Sequence, residues 1–264
     1  MFTLNCKGRL LPLEKPIVMG IINTTPDSFY AGSRKQGTDE VLKQAEQMLK
    51  DGATILDIGG QSTRPGSEKV GAEDELKRVL EPIAALKLQF PEAYISIDTY
   101  YSRVAREAVM AGACIINDIS AGSLDEAMIT TVASLDVPYV LMHMKGTPQT
   151  MQTSPEYTNV TAEVLDFFIK KRDELLKAGI TDIIIDPGFG FGKTIVHNFE
   201  LLRNLPAFRL LQLPLMLGIS RKATIYKTLG ITADESLNGT TALNMIGLMQ
   251  GAHILRVHDV KEAK

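Results

Sequence analysis

Eight short apolar runs divide this chain, and a longer stretch of helical periodicity separates most successive pairs. Few folds accommodate that alternation. The runs are "IVMGII" (17–22), "ILDI" (55–58), "YISI" (94–97), "CIIN" (114–117), "YVLM" (139–142), "DIIID" (182–186), "PLMLG" (214–218) and "HILRV" (253–257). They are continuous rather than alternating, as parallel strands covered on both faces must be. Amphipathic spacing predicts helices over Asp39–Lys50, Glu73–Phe90 with a kink at Pro82, Arg103–Ala111, Asp125–Leu135, Val160–Ala178, Asn198–Leu205 and Leu237–Gln250. Gly52, Gly112, Gly179 and Gly251 stand where helices end before a strand. Strand, helix, glycine, strand, repeated along the chain, predicts an α/β (β/α)8 barrel of the TIM type. Its 264 residues match the ~250 of such a barrel folding as one domain over 1–264. Residues 1–15 are expected to form a hairpin closing the barrel floor. Few residues follow the eighth strand, so the eighth helix is incomplete and its flank is left to truncation or to a partner.

Charge and cysteine content narrow the function classes. A formal net charge of −3 gives no global field for nucleic acid or a membrane surface. Cys6 and Cys114 lack metal or redox spacing, and the N-terminus has no signal-peptide core, so a reduced, cytoplasmic location is expected. The most apolar segment, "LLQLPLMLGI", is too short to cross a bilayer and Pro214 interrupts it.

The stretch "DPGFGFGKT" (186–194) imitates a phosphate loop. However, Pro187 occupies the position where the nucleotide pattern needs its first glycine, and proline has no N–H to offer a phosphate. The dinucleotide pattern fails too, with Lys193 at its third glycine. The glycines are therefore read as shaping a tight turn after the sixth strand.

Each apolar run has a polar residue at or just past its end: Asn23, Asp57, Asp98, Asn117, His143, Asp186, Ser220 and the pair Arg256/His258. In such barrels the C-terminal strand ends form one mouth, where active sites sit. Asp57 alone is read as a helix N-cap. Asp98, Asn117 and Asp186 would be costly to bury without a partner, and a heterocycle with a guanidine-like edge, such as a pterin, supplies paired N–H donors. Ile119, Met142 and Phe191 are placed to flank its rings. Arg64, Lys222, Arg256 and His258 add cations, two of them after the eighth strand, which favours an anion such as pyrophosphate. Two long loops, 23–37 and 59–71, are expected to act as lids. No Ser-His-Asp or Cys-His constellation stands out.

The motifs "MGIINTTPDSF", "DIGGQSTRPG", "SIDT", "INDIS", "MHMKGTPQTMQ", "DPGFGFGK", "GISRK" and "RVHDV" together, in order and across nearly the whole chain, resemble dihydropteroate synthase. The resemblance implies a folate-pathway transferase, usually a homodimer. It would condense 6-hydroxymethyl-7,8-dihydropterin pyrophosphate with p-aminobenzoate, releasing pyrophosphate, and sulfonamides would compete with aminobenzoate. By motif, Asp98, Asn117, Asp186 and Lys222 match the pterin-binding set, with Gly218 letting the ring lie close to backbone. Arg256 matches the residue that packs over the pterin and meets the phosphates beside His258. Asn23 matches the ligand of a pyrophosphate-binding Mg2+, and Thr63, Arg64 and Ser220 match phosphate or aminobenzoate contacts. Lys222, Arg256, His258 and Asp98 are the expected catalytic set. The expected mechanism is dissociative: pyrophosphate departs and the aniline nitrogen captures the cation left behind.

Three positions depart from the family pattern. Ala223 stands where a serine commonly follows the "SRK" lysine, Ala31 where the first lid commonly carries aspartate, and Gln61 turns "GGES" into "GGQS". A corrinoid methyltransferase, which shares the wall of Asp and Asn but binds no pyrophosphate, is the nearest rival reading. A pterin-binding protein without activity is the alternative from another class.

Overall fold

The computed structural model describes residues 2–24, 34–62, 69–151, 153 and 155–264, with backbone only at 34–36. Ten strands are present among these. β1 (Thr3–Cys6) and β2 (Arg9–Pro12) pair antiparallel, turning through Lys7 and Gly8, both at positive φ. The other eight are β3 (Ile17–Asn23), β4 (Ile55–Gly59), β5 (Tyr94–Asp98), β6 (Ile115–Asp118), β7 (Tyr139–Met142), β8 (Ile183–Asp186), β9 (Met216–Leu217) and β10 (Ile254–Val257). They lie in one parallel sheet in the order β8-β7-β6-β5-β4-β3-β10-β9. A bridge between Ile185 and Leu215 brings β8 against β9, so the sheet curls back on itself as a nearly closed barrel.

Helices α1 (Arg34–Lys50), α2 (Ala72–Gln89), α3 (Ser102–Ala111), α4 (Met128–Leu135), α5 (Val160–Lys177), α6 (Ile195–Arg203) and α8 (Leu237–Met249) connect successive strands. α2 runs through Pro82 as one helix. A further helix, α7 (Ala223–Leu229), follows β9 and was not anticipated, and Leu205–Leu211 is a 3-10 segment rather than a helix end. After β10 comes a short turn of helix, α9 (Val260–Ala263).

Side chains alternate strictly along the barrel strands, and this fixes the position of the site. One phase points outward: Leu56, Ile58, Ile95, Ile97, Ile116, Leu141 and Leu217 are buried with Val79, Ile83, Leu86, Val104 and Phe168 of the surrounding helices. Each such side chain contributes about 2 kcal/mol over leaving it in water. The other phase points inward. Toward the strand N-termini it is apolar, with Met19, Ile55, Ile115, Val140, Ile184, Met216 and Ile254 packed on Leu4, Cys6, Leu11 and Leu13. The hairpin therefore lies beneath the barrel. Two residues further along β4, β6, β8 and β10 the inward layer turns polar, at Asp57, Asn117, Asp186 and Arg256.

Candidate active site

The period of two carries Ile55 to Asp57 and Gly59, Ser96 to Asp98, Ile115 to Asn117, Ile184 to Asp186, and Ile254 to Arg256. Sheet register sets these residues side by side. Asn23 pairs with Gly59, Gly59 with Asp98, Asp98 with Asn117, and Met142 with Asp186. Residues up to 233 positions apart in sequence thus share one opening.

Arg256 sits at its centre. Its Nε donates to Asp57 Oδ2 at 2.7 Å and an Nη donates to Asp98 Oδ2 at 2.6 Å. Asn117 Nδ2 donates to the same Asp57 oxygen at 3.0 Å. Burial opposes the charge on Arg256, but Asp57 and Asp98 outweigh it and hold the guanidinium protonated well beyond its ordinary range. Burial also pushes Asp98 up to about 7, against the pull of Arg256 and with Asp57 and Asp118 adding repulsion.

Asp186 accepts from its own turn, Gly188 N–H to Oδ1 at 2.8 Å. Its other oxygen faces Gly218, where a Cβ would come within 3.3 Å of Oδ2. The missing side chain at Gly218 leaves that carboxylate accessible. Burial raises Asp186, opposed chiefly by Lys222. Lys222 donates to the Phe189 carbonyl and lies 4.4 Å from the Phe191 ring centroid. Burial lowers it to about 8, while Asp186 and Asp98 draw it back up. Asp98, Asp186, Lys222 and Arg256 therefore feel one another's charge. Ile119 and Met142 form an apolar patch with Tyr100, against which Phe191 packs.

Two loops are clamped together behind the cations. Arg221, at φ 53°, donates from Nη to Asp259 at 2.6 Å and from Nε at 2.9 Å. Ser220 Oγ accepts from the His258 backbone N–H at 3.2 Å and lies 3.1 Å from its Nδ1. Ser220 is thus engaged with His258 and orients it.

The glycine stretch after β8 is a wedge. Gly188, at φ +69°, presses so close to β7 that a Cβ would lie 1.9 Å from the His143 carbonyl oxygen, and one on Gly192 would lie 2.3 Å from Lys145 O. Lys193, only 2% exposed, pins the turn: its Nζ reaches His143 Nδ1 at 2.9 Å and the carbonyls of Gly188 and Phe191 at 3.0 Å each. Burial drives it far below the ordinary lysine range, against the pull of the Asp186 charge.

Two sequence expectations are corrected. Asp57 is no N-cap: it lies within β4, 0% exposed, with Arg256 and Asn117 on one oxygen. His143 does not line the mouth. It is buried edge-on against Phe167 of α5 at 4.9 Å, and burial with Lys193 beside it lowers the ring to about 2. The phase of "ILDIG" carried a signal for Asp57, since it falls two residues after inward Ile55; nothing in the sequence marked Lys193 as buried. Thr63, Arg64, Ala31 and much of both long loops lie outside the described residues. At the edge of the second loop, Gln61 donates to Glu75 Oε2 at 3.0 Å and accepts from Tyr100 OH at 2.9 Å. Burial raises Glu75 to about 8.

Among the described residues no cluster of three or more His, Cys, Asp or Glu could hold a metal, and no helix is long and apolar enough to cross a membrane.

Residues 19–258 match the family model described as pterin binding enzyme. The chain is similar to dihydropteroate synthase of Escherichia coli strain K12, 45% identical over 258 residues, 97% of this chain and 91% of that protein. The Yersinia pestis dihydropteroate synthase, solved with a sulfonamide drug, superposes with a TM-score of 0.93 at 40% identity, over 99% of this chain and 95% of that one. The Xanthomonas albilineans dihydropteroate synthase in complex with 7,8-dihydropteroate gives 0.89 at 38% identity, over 99% and 94%. Fold, inward polar layer and full-length similarity converge on one assignment: this chain belongs to the dihydropteroate synthase family of pterin-binding enzymes.

Proposed function

We propose that the chain condenses 6-hydroxymethyl-7,8-dihydropterin pyrophosphate with p-aminobenzoate, giving 7,8-dihydropteroate and pyrophosphate. The observation that carries this reading is the two-tier mouth. The carboxylates Asp98 and Asp186 and the amide of Asn117 share one opening with Lys222 and Arg256, and His258 follows Arg256 at the end of β10. The product found in the Xanthomonas structure supports it. The cations count against a methyl-transferring relative, which has no diphosphate to hold.

Each group has work suited to its environment. Asp98 and Asp186 accept the N–H edge of the pterin, and its arrival favours their ionised forms, because a donor edge offsets the burial that raises both. Ile119, Met142 and Phe191 cover the ring faces. Lys222 and Arg256, with His258 oriented by Ser220, neutralise the diphosphate as its bridging C–O bond breaks and both electrons leave with the oxygen. The methylene cation delocalises into the dihydropterin, whose positive charge the two carboxylates stabilise. The aniline lone pair closes the C–N bond, and the nitrogen then releases its proton to solvent. No protein nucleophile is needed.

The residues present fit a Mg2+ ion. A Cβ on Gly59 would stand in ordinary contact with Asp98 Cβ at 3.6 Å, Asn23 Oδ1 at 3.7 Å and Asp98 Oδ2 at 3.8 Å, so the absent side chain leaves room beside the Asn23 oxygen. Mg2+ takes few protein oxygens and completes its shell with phosphate and water. Asn23 would hold the ion, which supplies charge neutralisation to the leaving diphosphate. Thr63 and Arg64 complete the proposed anion and aminobenzoate contacts by motif, and Ala223 opens α7 where the family pattern has a serine that meets the aminobenzoate carboxylate. A cytoplasmic homodimer belongs to the same reading.

A coupled assay tests the reaction: the chain, both substrates and Mg2+, monitored for pyrophosphate and dihydropteroate together. Formation of both supports it. Pterin binding by calorimetry without pyrophosphate release would reduce the protein to a binder.

A further inference from the structure

Arg256 is held by two carboxylates that differ in kind. Asp57 lies wholly within the barrel, and both groups on its Oδ2, Arg256 Nε at 2.7 Å and Asn117 Nδ2 at 3.0 Å, belong to the protein. Among the described residues its Oδ1 has no hydrogen-bond partner. Asp98 stands at the strand end beside Asn117 in register, its side chain 12% exposed, and takes one Arg256 Nη at 2.6 Å. A guanidinium on Asp98 has the same donor geometry as the edge of a pterin, so one excludes the other from that oxygen. The Nε bond to Asp57 uses a different N–H and a deeper carboxylate, and it survives when the Asp98 bond is exchanged.

We infer that Asp57 is a positioning residue for the proposed reaction: an anchor from which Arg256 surrenders Asp98 to the incoming pterin and turns its freed N–H groups toward the diphosphate. This rests on the functional reading above. It goes beyond that reading in assigning to a residue at a distance from substrate the aim of the residue that meets it. Asp57 also fixes Asn117, so one buried oxygen sets two of the pterin-facing groups. Without its charge, Arg256 has only Asp98 to pair with, and arginine and pterin compete for one carboxylate.

The test is a double-mutant cycle with Asp57→Asn, isosteric but uncharged, and Arg256→Ala. KM and kcat are read by pyrophosphate release, pterin binding by calorimetry, and folding by melting temperature. Asp57→Asn is expected to raise KM for the dihydropterin pyrophosphate about 10- to 100-fold, the cost of removing one partner of a buried charged hydrogen bond. In the Arg256→Ala background the same change should move KM by less than about threefold, since coupled residues are non-additive. An equal loss in both backgrounds would mean that Asp57 acts on the fold rather than through Arg256, and would overturn the inference while leaving the reaction standing. Should Asp57→Asn fail to fold, Arg256→Lys carries the test, because lysine keeps the charge but lacks the fork that bridges both carboxylates. A raised KM then supports the anchor, and a wild-type KM overturns it. A wild-type chain that neither binds pterin nor releases pyrophosphate overturns both readings together.

Discussion

Replacing Gly188 by alanine should damage both fold and site, and the two contributions can be separated by a control. Gly188 sits at φ +69°, where any other residue pays a backbone cost of about 1 kcal/mol. Its added Cβ would also stand 1.9 Å from the His143 carbonyl oxygen, an overlap that only a shift of the turn can relieve. Overpacking of that kind adds about 1–3 kcal/mol. The turn is not free to shift, because Lys193 Nζ holds the Gly188 carbonyl at 3.0 Å and Asp186 Oδ1 holds its N–H at 2.8 Å. The expected total of about 2–4 kcal/mol lowers the melting temperature by about 5–10 °C for a chain of this size. Gly179→Ala is the control: φ is +90° but no atom lies within 4 Å of the added Cβ. It should cost only the backbone share, about 2 °C, and leave ligand binding untouched. Differential scanning calorimetry measures the melting shifts, and titration with a pterin measures the site. Gly188→Ala should weaken pterin binding because the N–H that steadies Asp186 moves with the turn. Equal melting shifts for the two variants, or unchanged pterin affinity in Gly188→Ala, would refute the wedge.

Three further outcomes follow from the electrostatics and the departures. A plot of kcat/KM against pH should be bell-shaped, rising as Asp98 loses its proton near 7 and falling as Lys222 loses its own near 8, and Asp98→Asn should abolish the rising limb. Stability should fall between about pH 4.5 and 8, because burial keeps Glu75 protonated in the folded chain after the unfolded chain has released that proton; chemical denaturation of Glu75→Gln across this window should show a shallower slope. Ala223→Ser should tighten aminobenzoate or sulfonamide binding severalfold by adding one hydroxyl hydrogen bond of about 1 kcal/mol, and an unchanged titration would remove Ala223 from the site.

The barrel was legible because its strands are short, apolar and regularly spaced, and each predicted run overlaps an observed strand. α7 escaped because seven residues are too few to establish a helical stripe. α6 begins at Ile195, earlier than expected, because Thr194 and His197 form a capping box that pattern reading passed over. The mouth was legible where polar residues end strands, as at Asp98, Asn117 and Asp186. It was illegible where a residue's meaning lies in a distant partner. Asp57 finds Arg256 across 199 positions, and no local pattern announces such a pairing. His143 shows the opposite failure: a polar side chain at a strand end that serves, with Lys193, the wall behind the mouth.

The strict alternation along the barrel strands also shapes what change the protein can tolerate. Successive positions on one strand answer to different masters, Leu56 and Ile58 to the helical jacket and Asp57 and Gly59 to the chamber. Substitutions can therefore drift on one parity while the chemistry on the other stays intact, so thermal tolerance and ligand preference can diversify separately. A one-residue insertion or deletion inside a strand enjoys no such freedom, because it exchanges the parities and turns acid into the oil and oil into the chamber at a stroke. Length changes in this protein should thus be confined to the connections between strands.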